Sequence, residues 1–185
     1  MGDCFQKIGD LDATAEEAPA LAKSVRHWLV ADGVVSGDLT DCLSSGLGHP
    51  PGQNWAAAVN APDRTDGQWT ALWTNGLHIE VGPMIYWDME PDDPGCPQCG
   101  TQQRFDEFKG LDEWTPGLGL GVNDEYHCPI CMRPSPVNEW LSSIGWGIGH
   151  LCLEFWNWPP LSEQFQTELI QRLSGHKLLY LSGKL

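Results

Sequence analysis

The sequence predicts an α+β fold: a mixed β-sheet with a few flanking helices and an inserted four-cysteine module. Three observations predict it. Two stretches carry apolar residues at helical spacing between recognisable caps. Several short runs rich in β-branched and aromatic residues lie between turn signals. Between these regions, Cys96-Pro97-Gln98-Cys99 and Cys128-Pro129-Ile130-Cys131 form two C-x-x-C pairs separated by 28 residues. A length of 185 residues suits one α+β domain over 1–185, with the cysteine module inserted at 91–136.

Residues 1–15 lack a clear period and are expected to be a partly ordered lead-in. Thr14-Ala15-Glu16-Glu17 then has capping-box spacing and Pro19 suits a first helical turn. Leu21, Val25, Trp28 and Leu29 fall on one face, and Gly33 is a natural stop, giving a helix over 17–32. Glycines and prolines mark 46–51 as loop. Asn75-Gly76 between the runs 68–73 and 77–81 predicts a β-hairpin, with Gly82-Pro83 ending its second strand and a third strand over 84–87. The nearly continuous apolar run Leu151–Trp156 reads as a buried central strand. Ser162 caps a helix whose face is Leu161, Phe165, Leu169, Ile170 and Leu173, and Gly175 closes it. A strand over 177–181 follows. If it neighbours the 151–156 strand in parallel, the crossover is right-handed.

Four cysteines in two tight turns supply four soft thiolate ligands to one ion and leave no open coordination position. Pro97 and Pro129 pre-set each turn. Gly100 follows the first pair where the chain reverses with positive φ; Met132 stands at the equivalent place in the second. The C-P-x-C pairs resemble the knuckles of zinc ribbons and rubredoxins over about forty residues. That resemblance implies Zn2+ held by Cys96, Cys99, Cys128 and Cys131, with Fe as the alternative in a rubredoxin-like electron carrier. The 28-residue gap exceeds the about 15–20 of the commonest zinc template, and a glycine-rich loop over 110–121 absorbs the difference. C-P-x-C also resembles dithiol redox motifs, but redox chemistry needs one pair, not two. Cys4, Cys42 and Cys152 are expected as free thiols.

The chain holds 25 acidic and 10 basic residues, a formal charge of −15. From Asp88 to Glu125 ten acidic residues oppose only Arg104 and Lys109, so the module carries −8 of it. Phosphate backbones repel such a surface, which argues against direct nucleic-acid binding. It suits docking of another protein with a basic face, as an inhibitor or immunity-type protein would do; a solvated loop kept soluble by charge is the simpler reading. No run approaches the ~18 apolar residues of a membrane helix, and the start lacks the order of a signal peptide. A cytoplasmic protein without membrane contact is expected.

His78 and Glu80, two apart on a strand, are the candidate catalytic pair should the chain be an enzyme, with His127 or His150 as further members. An exposed or satisfied histidine is the simpler reading for each, as it is for His49 in its loop. Ten tryptophans are more economically core and edge residues than a stacking surface for sugars or proline-rich peptides. Gly117-Gly119-Gly121 and Gly145-Gly147-Gly149 lack the spacing of a dinucleotide loop.

Overall fold

The computed structural model describes residues 3–44, 46–60, 68–87, 92–108 and 125–185. The glycine-rich loop expected over 110–121, and the acidic residues Asp88, Glu90, Asp112, Glu113 and Asp124, lie outside them. The α+β class holds. A four-stranded sheet has the order β4-β7-β1-β8, formed by β1 (Cys4–Asp10), β4 (Gly76–Tyr86), β7 (Gly147–Trp156) and β8 (Leu178–Lys184). Two ribbons, β2 (Thr40–Leu43) with β3 (Gly46–Gly48) and β5 (Glu125–His127) with β6 (Pro134–Pro136), stand beside it. The helices are α1 (Ala18–Ala31), α2 (Val137–Leu141) and α3 (Glu163–Arg172).

The sheet differs from expectation in one respect: every pairing in it is antiparallel, so it is not mixed. β7 and β8 do run parallel, but β1 lies between them and pairs with both. The strand expected to be a loose lead-in is thus central. Its pattern concealed this because both faces are covered. Phe5, Gln6, Ile8, Gly9 and Asp10 are all buried, and alternation is lost when neither face meets water. Gln6 is satisfied by residues far along the chain: its carboxamide donates to the Trp158 and Pro159 carbonyls (3.1 and 3.0 Å) and accepts from the Leu161 N–H (2.9 Å).

α1 begins after a reciprocal capping box. The Thr14 hydroxyl accepts from the Glu17 N–H at 3.3 Å, and the Glu17 carboxylate accepts from the Thr14 N–H at 3.2 Å. It ends where Gly33 takes φ +70°, so that the Val34 N–H reaches the Leu29 carbonyl (2.9 Å) and the Gly33 N–H that of Val30 (3.1 Å). α3 is capped by Ser162 Oγ, which accepts from the Phe165 N–H at 3.1 Å. Ser162→Ala should lower stability by about 1 kcal/mol in denaturant unfolding; an unchanged midpoint would show the cap to be idle.

Both helices pack on one face of the sheet. Val25, Trp28 and Leu29 of α1 and Phe165, Leu169 and Leu173 of α3 share a core with Ile8, Leu77, Leu153 and Phe155. Trp28 stacks on Phe165 with centroids 5.5 Å apart, and the Arg172 guanidinium lies over the Trp28 ring. Ile170, expected on the buried face, is partly exposed. On the opposite face Lys7 pairs with Glu154 at 2.7 Å.

The hairpin expected at Asn75-Gly76 does not form. Residues 68–71 are a 3-10 turn, and Asn75 instead donates its N–H to the Cys42 carbonyl. Gly76 is needed for close approach: a Cβ there would lie 2.5 Å from Cys42 Sγ. Gly82-Pro83 does not end the strand either. β4 continues through it with one extra residue, Val81 facing Leu151 and Met84 facing Gly149. This is a β-bulge, and on an edge strand Pro83 costs no ladder bond.

Candidate metal centre

Each cysteine pair sits in a turn of the same construction. In the first, Cys96 N–H donates to the Thr101 carbonyl and Gly100 N–H to the Cys96 carbonyl, both at 2.9 Å. In the second, Cys128 N–H donates to the Arg133 carbonyl at 3.1 Å and Met132 N–H to the Cys128 carbonyl at 2.9 Å. Gly100 and Met132 occupy the same left-handed position, at φ 72° and 59°. The second turn is therefore not a different one. A methionine holds a conformation that favours glycine, at a cost of about 1–2 kcal/mol.

The two turns bring four sulfurs together, all within 4.8 Å of one another. Cys96 Sγ lies 3.9 Å from Cys131 Sγ, and Cys99 Sγ lies 3.8 Å from Cys128 Sγ. A metal–sulfur bond of about 2.3 Å at the centre of a tetrahedron sets its edges at about 3.8 Å. A disulfide would need about 2.05 Å, so the four are unbridged thiols held at ligand spacing. Cys96 and Cys128 are buried while Cys99 is exposed and Cys131 intermediate.

The local backbone favours thiolates. The Gln98 N–H points at Cys96 Sγ, and the Ile130 and Cys131 N–H groups at Cys128 Sγ, at 3.4–3.5 Å. The Cys99 thiol donates to the Thr101 hydroxyl at 3.3 Å; once the thiol is ionised, hydrogen bonds from that hydroxyl and then from the Thr101 backbone stabilise the thiolate and draw Cys99 down to about 6. Backbone N–H groups, that of Cys131 foremost, lower Cys128 as well. Each such bond favours the charged form that binds a metal. Thr101 was not evident from the sequence; its place two residues beyond Cys99 is the only signal.

A small second core supports the site. Phe108, Trp140, Leu141, Trp146 and Ile148 are buried with Cys96 and Cys128. Tyr126 meets Phe108 at 4.8 Å and Trp140 at 5.2 Å between centroids, and its hydroxyl donates to Gln103 Oε1 at 3.0 Å, tying the two cysteine segments together. Ser143 accepts from the Gly95 N–H at 3.0 Å, anchoring the first turn to the segment after α2. Trp140, Trp146 and Trp158 are core residues, as expected, and Trp156 is half-buried. Among the described acidic residues near the site, Asp92, Asp93, Asp106, Glu107 and Glu125 are exposed. Arg104 makes a two-pronged contact with Asp106 (2.8 and 3.1 Å), too exposed to add much stability.

The other candidates are dispersed. His78 and Glu80 project from β4, opposite Glu154 and Cys152 of β7. His127 is exposed on β5, and His150 is buried on β7, where burial lowers its pKa. No hydrogen bond or ion pair joins His78 to Glu80 among the described residues. His49 is buried and hydrogen-bonded to Arg26 and the Ser36 carbonyl, the satisfied one of the two expected alternatives. Cys4, Cys42 and Cys152 are free thiols. Among the described residues no helix is long and apolar enough to cross a membrane. No protein-family model matches this chain, no curated protein matches it, and no solved structure matches it.

Proposed function

We propose that the chain is an acidic, non-catalytic protein-interaction module braced by structural zinc, acting in the cytoplasm on a basic partner as an inhibitor or immunity-type protein would. The four-sulfur cluster carries the metal part of this reading. Four thiolates fill a tetrahedron, so the ion has no vacancy for a substrate, and its binding energy goes into holding the segments 92–108 and 125–136 on a core of few residues. Zinc suits four sulfurs without demanding any other geometry. The interaction part is supported by the net −8 between Asp88 and Glu125 and by the exposure of its described carboxylates.

Elemental analysis of the purified chain should find about one zinc per molecule, and cobalt(II) substitution should give the intense sulfur-to-metal absorption of a four-thiolate site. A red, iron-loaded protein would replace this reading with that of an electron carrier. For the partner, the intact chain and a variant carrying Asp92→Asn, Asp93→Asn, Asp106→Asn and Glu107→Gln should be compared as baits across a salt series. Retention of a basic protein by the first alone, lost as salt screens the charges, is expected. Equal retention by both baits would sink the docking role.

A further inference from the structure

α1, the β2–β3 ribbon and the free edge of β4 enclose a groove of about 350 Å3, within the range of small-ligand sites. Its lining runs against the composition of the chain. Carboxylates outnumber bases 25 to 10 overall, yet among the described residues the ionisable ones lining it are Lys23, Arg26, His49 and His78, with no Asp or Glu.

Arg26 is held at this groove by neutral groups. Its Nε donates to His49 Nε2 at 3.1 Å and its Nη2 to the Gly37 carbonyl at 3.1 Å. His49 Nδ1 lies 2.9 Å from the Ser36 carbonyl, so the proton sits on Nδ1 and Nε2 accepts. Burial, and then the adjacent guanidinium, keep His49 neutral by lowering its pKa against the pull of that carbonyl. Among the described residues Arg26 has no carboxylate partner. Two of its five N–H donors are engaged, which fixes the plane of the guanidinium and leaves the others for a ligand.

Beside this charge lies wetted apolar surface. Leu47 is 59% exposed, Leu39 53% and Val81 44%, with Leu77 buried beneath. The Leu77 N–H and C=O bond to His49 (2.8 and 2.9 Å), so Ile79 and Val81 turn their own polar groups to the same side, past the end of the ribbon.

We infer that this groove binds an aliphatic monocarboxylate, its carboxylate paired with Arg26 and its chain lying over Leu47, Leu39 and Val81. A lone oriented guanidinium matches one carboxylate, and the adjoining leucines bury a chain that water would otherwise solvate. Nothing in this assignment depends on the metal centre, which lies in a different hydrophobic cluster from the α1–β4 core.

The test is titration of the full chain with sodium octanoate, followed by amide shifts in NMR. Saturable shifts clustered at 22–26, 47–49 and 77–81 are expected. n-Octanol, with the same chain and no charge, should bind at least tenfold more weakly, and Arg26→Gln should weaken octanoate at least tenfold. Because Arg26 also bonds Gly37 and His49, Leu47→Glu serves as a second variant; that exposed position tolerates charge, which should repel octanoate to the same extent. Equal binding of octanol, unaltered octanoate binding by either folded variant, or shifts that fail to saturate or fall elsewhere would overturn the assignment. A blocked peptide of alternating valine and glutamate that binds more tightly than octanoate at Ile79 and Val81 would also overturn it, in favour of an added strand.

Discussion

Cys128→Ser should release the metal and unfold the module that surrounds it. Cys128 is 1% exposed and lies beneath the second turn, so serine leaves three ligands and a buried hydroxyl in place of a thiolate. Structural zinc contributes about 10–16 kcal/mol in small zinc-folded peptides, far more than the rings at Phe108, Tyr126 and Trp140 supply by packing. Loss of metal content, a red shift of tryptophan emission as Trp140 and Trp146 become wet, and loss of amide protection over 92–108 and 125–146 are expected together. The α1–α3 core should survive at ambient temperature, because none of its buried residues belongs to the module's cluster. Cys4→Ser, at an exposed cysteine in β1, is the control. Full metal content and unchanged protection in Cys128→Ser would remove the structural role.

The second large effect is expected at Gly149. The Tyr86 ring lies across the backbone of β1 and β7: its hydroxyl donates to the Leu151 carbonyl at 2.8 Å and accepts from the Leu151 N–H at 3.2 Å. Burial pushes its phenol far above the usual range, so it remains a donor. A Cβ at Gly149 would collide with the Asp10 carbonyl and the Tyr86 hydroxyl, and one at Gly9 would come within 2.5 Å of the same ring. Backbone cannot step aside as a side chain can. Gly149→Ala should therefore cost about 3 kcal/mol or more, a fall in Tm of roughly 6–12 °C at this chain length. Gly95→Ala is the comparison, since a Cβ there meets nothing nearer than Ser143 Oγ at 3.7 Å. If both lower Tm equally, the packing of Tyr86 is not what fixes that glycine.

What was legible in the sequence was what is encoded locally. The turns at Cys96 and Cys128 were visible because a metal site is specified by ligand type and spacing, and α1 and α3 because caps and period lie within a few residues of each other. β1 was not legible because Gln6 and Asp10 read as surface residues. Asp10 is buried, bonded to the Asp12 and Ala13 N–H groups at 3.0 and 2.9 Å and to His176 Nδ1 at 3.0 Å; only the fold brings His176 there. Asn75-Gly76 misled for a related reason. Its usual turn was displaced by a tertiary demand, the approach of Gly76 to Cys42. The Arg26–His49 contact spans 23 positions with no shared motif, so only the fold discloses it.

The position of β1 dictates an order of events during synthesis. Phe5 pairs with Trp156, and Cys4 with Lys184, so β1 must wait for strands made much later in the chain. Such long-range pairing slows folding and leaves an unsatisfied strand exposed while the chain grows. The second cysteine turn, by contrast, is complete by Arg133, before any of β7 exists. The core that packs on both turns, however, needs Trp140, Trp146 and Ile148, the last of them in β7 itself, so the cysteine turns are made early but the module is completed only together with the sheet.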